Sequence, residues 1–480
     1  MTNERAIQNS ITELFEQWAN EPCTEVLAIG AHGSKRRYFR LKGLKHNCIA
    51  AFNDDRREND AFLYYSAFFK QKNLPVPEIY AVGNDHLTYL QQDLGDQTLF
   101  NYIYDKKRSG GGFDVEAINL YRRVIEDLIR FQTECRDIDF DKAYPRSAFD
   151  EQSIQWDLNY FKYYFLKPAE IPFDEQLIED DFKNFLNYLL SADTSYFMYR
   201  DFQPRNIMLT ATGELYYIDY QGGRRGAAQY DLASLLFSAR SDMPDPIRRE
   251  LLTYYMSQRG FDKGQRQQFE SYYWAYVLVR IMQAMGAYGY RGYFEHKDHF
   301  VKSLPLAISN LRKVTESVTL PVELPHLSQV WQAIANKQQV FGQEAAPQAS
   351  ECLTVRVSSF SYKRGIPNDP SGNGGGFVFD CRALPNPGRY EQYRAYTGKD
   401  KPVIDFLEKE EPVARFLNNA KNLVAQSSEK YLERHFTSLA VNFVCTGGQH
   451  RSVYCSEKIA QFIQQNYDCN VIIKHIEQEL

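Results

Sequence analysis

Tyr199–Leu209 reads YRDFQPRNIML; Asp219 follows ten residues later inside YYIDYQGG, and Asp231 twelve residues after that inside QYDLASLL. An Asp, an Asn five positions on and two more Asp just downstream have a chemical rationale. Phosphoryl transfer asks the protein for little covalent chemistry. It needs a carboxylate near the acceptor hydroxyl, ligands for a metal on the nucleotide phosphates, and a rigid loop holding both in register. Asp201 and Asn206 stand at opposite ends of such a loop, so one can face the acceptor while the other turns back toward a metal. Asp219 closes the apolar strand Tyr216–Ile218, which fixes its carboxylate as a second ligand. One amide and one carboxylate, completed by phosphate and water oxygens, are hard ligands of the kind Mg²⁺ prefers.

Around this block, the totals bound the class. The chain has 480 residues, too many for one compact core, so two or three domains are expected. It is 44% hydrophobic and rich in Tyr and Phe, a globular composition. A net charge of -5 gives no global electrostatic reason for nucleic-acid binding. No apolar run is long enough to span a bilayer, and MTNERAIQNSITELFEQW carries acids and lacks the apolar core of a signal peptide. Eight scattered Cys with no C-x-x-C pair fit a reducing compartment. The expectation is a cytoplasmic protein.

The pattern along the chain predicts an amphipathic helix over 4–19, then short strands in VLAIGAHGSKRRYFRLKG and HNCIAAFND around a turn with Gly30 and Gly33. RENDAFLYYSAFFKQKNL reads as a helix stopped at Pro75 and Pro77, and EIYAVGNDHLTYLQQDLGD as strands with a turn at Gly83-Asn84. From about 96 to 314 helices dominate, except for strand, loop and strand over 196–220. Residues 316–350 read as a linker with one helix. From 351 the texture becomes α/β: LTVRVSSFSY and GFVFDCRAL read as buried strands, SLAVNFVCTGGQHRSVYCSEKIAQFIQQ as strand, Gly loop and helix, and NVIIKHIE as a last strand.

The ordered set D-F-x-x-x-N, I-D-Y and Y-D-L-A-S-L-L resembles the aminoglycoside phosphotransferase and choline kinase superfamily, the small-molecule branch of the protein-kinase-like fold. GSKRRYFRL, taken with YRDFQPRN and YIDYQ…YDLASLL, is similar to the cell-wall amino-sugar kinases of the AmgK type, which phosphorylate the anomeric hydroxyl of N-acetylmuramate or N-acetylglucosamine. The resemblance implies an α+β, bilobal kinase-like domain over 1–315, with a small lobe about 20–95 and a large lobe about 96–315, using ATP and Mg²⁺. It implies that Asp201 is the catalytic carboxylate, that Asn206 and Asp219 bind the metal, and that Asp231 is a structural acid for the catalytic loop. Gly30, Gly33 and Ser34 would form the turn over the phosphates. Gln92, Asp93 and Leu94 would form the hinge for adenine, and Gln203 and Gln221 would border the acceptor pocket.

Two departures stand out. Kinases of this fold carry a strand Lys paired with a helix Glu to grip the phosphates. NCIAAFND has no Lys, which leaves Glu58 a weak candidate for pairing and makes Arg36, Arg37 and Arg40 the cations available for the phosphate charge. Gln203 stands where a His is expected, and Gly222 where the similar kinases tend to carry Asp. A non-catalytic nucleotide- and phosphosugar-binding regulator is the alternative that the missing Lys favours.

FVCTGGQHRSVY runs from a strand end into a helix, a setting in which backbone N–H groups at Gly447 and Gly448 and a fork from Arg451 favour an anion. Cys445, Gly448, Arg451 and Ser452 also fit the spacing of a cysteine-phosphatase loop, which would make the chain bifunctional. The longer set YKRGIP, FVFDCRALPNP, TGKDKPVIDFL and CTGGQHRSVY resembles the C-terminal domain of RapZ proteins over 353–476, within a domain expected over 351–480. That resemblance implies a smaller α/β domain binding a phosphorylated amino sugar. Cys445, Thr446, Gly447, Gly448, His450, Arg451 and Ser452 would line its anion site, with Lys363 and Arg382 nearby and Gly388 where a pocket His is expected. RNA is the other partner implied, but residues 351–480 hold 16 Lys and Arg against 15 Asp and Glu, too balanced for a strong phosphate-backbone footprint.

Three smaller features read as structural. Glu295–His299 reads as a charged helix surface rather than a metal site, and Glu179–Asp181 as a solvated helix face rather than a lure for a cationic acceptor. Tyr160, Phe161, Tyr163, Tyr164 and Phe165 read as core or acceptor-pocket wall.

Overall fold

The computed structural model describes residues 2–30, 36–295, 297–337, 353–367, 376–434 and 436–478. The chain divides into two compact units, Met1–Phe341 and Gly342–Leu480.

The first unit opens with helix α1 (Thr2–Ala19) and a five-stranded antiparallel sheet in the order β1-β2-β3-β5-β4. Its strands are β1 (Glu25–Ile29), β2 (Arg37–Lys42), β3 (Asn47–Phe52), β4 (Ile79–Val82) and β5 (Thr88–Gln91), with helix α2 (Arg56–Gln71) between β3 and β4. The two-residue period of a strand sends successive side chains to opposite faces. Cys48 and Ala50 of β3 therefore pack with Phe39 and Leu41 of β2 against Ile7, Ile11 and Phe15 of α1. Ala51 turns the other way, into a core with Phe62, Tyr65 and Phe69 of α2. The same alternation puts Tyr38 on the α2 side of the sheet and Arg37, which is exposed, on the α1 side.

The helical part follows as α3 (Leu99–Arg108), α4 (Val115–Glu134), α5 (Glu151–Phe161), α6 (Glu175–Leu190), α7 (Ala228–Leu236), α8 (Asp245–Gln258), α9 (Lys263–Gly289), the short α10 (Asp298–Val301), α11 (Leu304–Ser317) and α12 (Pro325–Asn336). Between α6 and α7 lie two small antiparallel pairs, β6 (Tyr196–Met198) with β9 (Arg224–Gly226), and β7 (Ile207–Leu209) with β8 (Leu215–Tyr217). One continuous apolar core runs from α2 through these helices.

Two expectations are corrected here. The 316–350 segment is not simply a linker: α12 buries Leu327, Val330, Trp331 and Ile334 in the core of the first unit. Nor is Glu179–Asp181 a solvated face. Asp181 is buried and accepts the N–H of Leu327 at 2.7 Å, supplying the start of α12 with a partner, while Glu179 pairs with buried Lys162. A run of acids on an amphipathic helix looks solvated until a distant segment docks on it.

The second unit holds a four-stranded parallel sheet, ordered β11-β12-β10-β13, from β10 (Thr354–Ser361), β11 (Gly376–Asp380), β12 (Ser438–Cys445) and β13 (Asn470–His475). Helices Lys401–Glu408, Glu411–Glu433 and Arg451–Asn466 complete it. β10 and β12 are central and nearly continuously buried, as parallel strands covered on both faces require. β11 departs from its expected burial: it forms the sheet edge and alternates between exposed and half-buried residues, with Val378 46% exposed.

Candidate functional site

The site in the first unit is built around a loop held at both ends. Asp231, in the first turn of α7, is fully buried, and its carboxylate accepts the backbone N–H of Tyr199 at 2.6 Å and of Arg200 at 2.9 Å. Arg200 itself lies in the left-handed region at φ 80°, a conformation that costs a non-glycine residue about 1–2 kcal/mol. Its side chain offsets that strain. The guanidinium makes a fork on Asp157 of α5 at 2.6 and 2.7 Å, donates to the Tyr230 hydroxyl at 2.7 Å, and lies over the rings of Phe149 and Tyr230. The twisted backbone then delivers Asp201 to the opposite side.

Asn206 closes the loop. Its Nδ2 donates to the Asp201 carbonyl at 2.9 Å and to Asp219 Oδ2 at 3.1 Å, and its own carbonyl accepts the Ile218 N–H at 3.0 Å. Asp219 also sits at a positive φ of 71°, which turns its carboxylate out of the strand direction toward Asn206. Burial raises the Asp219 pKa above the ordinary carboxylate value, and the charge of Asp201 adds to that rise; Gln221, Arg205 and Arg36 act against it. A divalent cation would relieve the same repulsion. With the Asn206 nitrogen engaged by Asp201, its Oδ1 is the atom left to ligate, so the pair offers one amide and one carboxylate oxygen.

Asp201 and Asp219 each have a glutamine two residues later. Gln203 Nε2 donates to Asp201 Oδ1 at 3.0 Å, and Gln221 Nε2 to Asp219 Oδ1 at 2.8 Å. The buried Oε1 of Gln221 has no hydrogen-bond partner among the described residues. Arg280 of α9 brings Nη2 to 3.9 Å from Asp201 Oδ1. Nothing in the local sequence marked Arg280, Arg224 or Asp157; their association with the loop is made by α5, α9 and β9 packing around it.

The three arginines of the small lobe are separated by the structure. Arg36 is buried and forms an ion pair with Glu58 of α2 at 3.4 Å. Glu58 therefore does have a cationic partner, which corrects the expectation that the missing strand Lys leaves it unpaired. Arg40 is held by Asp93 at 2.7 and 3.0 Å and by Asp96 at 2.8 and 3.1 Å, so its fork ties β2 to the segment after β5. Arg37 lies on the sheet's other face. In the segment expected to form the hinge, the Gln92 N–H is already donated to the Glu78 carbonyl, Asp93 holds Arg40, and Leu94 is buried. Gly30 is described, with open space beside it, whereas Gly33 and Ser34 fall outside the described residues.

The candidate anion loop of the second unit starts where β12 ends. Thr446 and Gly447 are exposed, and a side chain at Gly447 would meet nothing within 4 Å. His450 Nε2 lies 3.1 Å from the Tyr393 carbonyl, which can only accept, so that nitrogen carries the proton and Nδ1 is left as the acceptor of the neutral ring. A Cβ at Gly388 would lie 3.4 Å from this ring, at ordinary contact distance. Arg451 corrects the expectation of an open phosphate fork. It is buried, and Nη1 donates to the carbonyls of Arg382 at 2.8 Å and Leu384 at 2.9 Å, bracing the segment after β11. Arg382 is exposed and pairs with Asp380; Lys363 is exposed. Cys445 is buried in the core of this unit, with Sγ 3.2 Å from Ser452 Oγ.

Gly448 is the position in this loop that only glycine satisfies. Its φ is 67°, and an added Cβ would stand 2.3 Å from Glu477 Cγ and 2.8 Å from the Ser361 nitrogen. Gly448→Ala is expected to lower the melting temperature of the second unit by several degrees, from about 1–2 kcal/mol of backbone strain plus the clash. An unchanged melting curve would mean that the loop is not held in this conformation.

Comparison with known proteins follows this division. Residues 26–269 match the model of the phosphotransferase enzyme family, and residues 353–479 that of the RapZ C-terminal domain. The chain belongs to the phosphotransferase enzyme family. It joins a first domain of that family to a C-terminal region that matches the RapZ C-terminal domain. Among curated proteins, a "nucleotide-binding protein" of Marinobacter nauticus is 30% identical over 175 residues, 36% of this chain and 57% of that one. One from Acidithiobacillus ferrooxidans is 40% identical over 125 residues, 26% of this chain and 40% of that one. The chain spans about half the length of the curated relatives it matches. Among solved structures, the choline kinase LicA of Streptococcus pneumoniae has a TM-score of 0.43 at 15% identity, covering 64% of this chain and 99% of that one. The ADP-bound aminoglycoside phosphotransferase APH(2'')-Ib has a TM-score of 0.43 at 14% identity, covering 66% and 98%. No helix among the described residues is long and apolar enough to cross a membrane.

Proposed function

We propose that the first unit transfers the γ-phosphoryl group of ATP to a hydroxyl of an amino sugar such as N-acetylglucosamine or N-acetylmuramate. The observation that carries this reading is the hydrogen-bonded set Asp201, Asn206 and Asp219, with Asp231 fixing the backbone before it. Asp201 orients the acceptor hydroxyl and takes its proton as the oxygen attacks phosphorus. Asn206 and Asp219 hold magnesium, which supplies charge neutralisation at the phosphate oxygens. Arg36, paired with Glu58, takes the place of the missing strand lysine, since a buried cation braced by a helix carboxylate is the element that position requires. Asp93 and Leu94 flank the adenine, with Arg40 keeping that segment in register.

The second unit binds a phosphorylated sugar through the loop from Thr446 to His450. The amino sugar is the economical acceptor because the two halves then handle related ligands. ADP release measured with N-acetylglucosamine, N-acetylmuramate, glucosamine, choline and kanamycin tests the proposal. Turnover with at least one amino sugar is the expected result. Turnover confined to choline or kanamycin would overturn the sugar assignment, and ATP binding with no turnover on any of the five would favour a regulator.

A further inference from the structure

The acceptor side of Asp201 holds more cationic charge than the transfer chemistry calls for. Three arginines converge there. Arg200 is fully engaged by the fork on Asp157. Arg280, 8% exposed, is positioned by Ser234 at 3.0 Å and by Gln283, and its remaining Nη2 reaches toward Asp201 only to 3.9 Å. Arg224, 7% exposed, donates Nε to the Gly222 carbonyl at 3.0 Å and has no ion-pair partner among the described residues. Asp157 and Asp201 are the carboxylates that interact with it, and Arg200 repels it; burial and that repulsion lower the pKa of its guanidinium. Removing a guanidinium from water is costly unless an anion faces it. Here three cations share two carboxylates, and one of those, Asp201, is needed by the acceptor hydroxyl.

A cationic acceptor would have to approach Asp201 past Arg280 and Arg224. A bound anion, in contrast, would complete both arginines.

We propose that the acceptor alcohol carries an anionic group, a carboxylate or a phosphate, received by Arg280 and Arg224 beside Asp201. This rests on the kinase reading for the hydroxyl, and on the two arginines alone for the charge. The preference is read by calorimetric binding to the full chain, with ADP and Mg²⁺ present, of three sugars that share one ring: N-acetylglucosamine, N-acetylmuramate and N-acetylglucosamine 6-phosphate. At least one anionic sugar is expected to bind about tenfold or more tighter than the neutral one, the size of one charge-assisted hydrogen bond. The arm that shows the preference tells carboxylate from phosphate. Arg280→Gln and, separately, Arg224→Gln are expected to bring the ratio toward one, whereas a merely structural arginine would weaken all three sugars alike. Because the second unit also binds a sugar phosphate in the reading above, the phosphate arm is repeated in Gly448→Ala, where the preference set by Arg280 persists. Equal affinities, tighter binding of the neutral sugar, no binding of any of the three, or a preference that survives both arginine substitutions would each overturn the proposal. Transfer is assayed on the same samples: anionic preference without transfer removes the kinase reading and leaves this one standing, and transfer without preference does the reverse.

Discussion

Asp201→Asn is expected to lower phosphoryl transfer by about 10²–10⁴-fold, the range for a positioned group that accepts a proton in the transition state. The loss is expected in kcat, with nucleotide affinity held, because the proposed metal ligands Asn206 and Asp219 are placed independently of the Asp201 carboxylate: Asn206 bonds the Asp201 backbone carbonyl. Folding is not the cause, since the side chain is 41% exposed and its neighbours are Gln203 and Arg280. An asparagine at 201 keeps an oxygen for Gln203. A variant that turns over within a few-fold of the native chain would show that Asp201 does not touch the reacting hydroxyl, and the site would have to be sought elsewhere.

The second large effect is structural and depends on pH. Asp231 is pushed up to about 7 by burial, against the two N–H donors that lower it. The folded chain therefore binds a proton between pH 3.8 and 7 that the unfolded chain releases. Stability from this group is complete below the unfolded value and is lost as pH rises through the folded one, at up to about 1.4 kcal/mol per pH unit. In Asp231→Asn that slope disappears, so the difference in unfolding free energy between native chain and variant narrows as pH rises from about 5 to 8. The variant is less stable throughout, because one amide oxygen cannot accept both N–H groups and the orphaned donor costs about 1–3 kcal/mol. Asp231→Ala orphans both. Parallel denaturant titrations at several pH values check this, and a constant difference would mean that Asp231 is ionised throughout the range.

The sequence made some of this legible and hid the rest for identifiable reasons. Asp201, Asn206, Asp219 and Asp231 lie within 31 positions, in loops, turns and the first turn of a helix whose residue types report their geometry locally. The structure joins the first three by hydrogen bonds through Asn206, while Asp231 holds the backbone N–H groups of Tyr199 and Arg200 just before them. Arg36 and Glu58 are 22 positions apart, one just before β2 and the other on α2, and a strand without lysine gives no sign of which cation replaces it. Arg224 and Arg280 look like ordinary surface charges in a chain that is 24% charged, since burial is a property of what packs on them. The burial of Asp181 is hidden for the same reason, its partner Leu327 lying 146 residues away. Arg451 shows the converse: a motif specifies a residue's place in a loop but not which way its side chain is drawn.

Asp181 and α12 also bear on how this chain can be divided. Similarity to the phosphotransferase family ends at residue 269, inside α9 and eleven residues short of Arg280. A cut there would sever a buried 27-residue helix, and a cut at 315 would strip off Leu327, Val330, Trp331 and Ile334 and leave the Asp181 carboxylate without the N–H it was built to receive. The stretch that relatives share is thus smaller than the stretch that folds. In any exchange of modules between chains of this kind, the piece inherited as one body has to run through α12, and the joint available for evolution or for the experimenter lies after it.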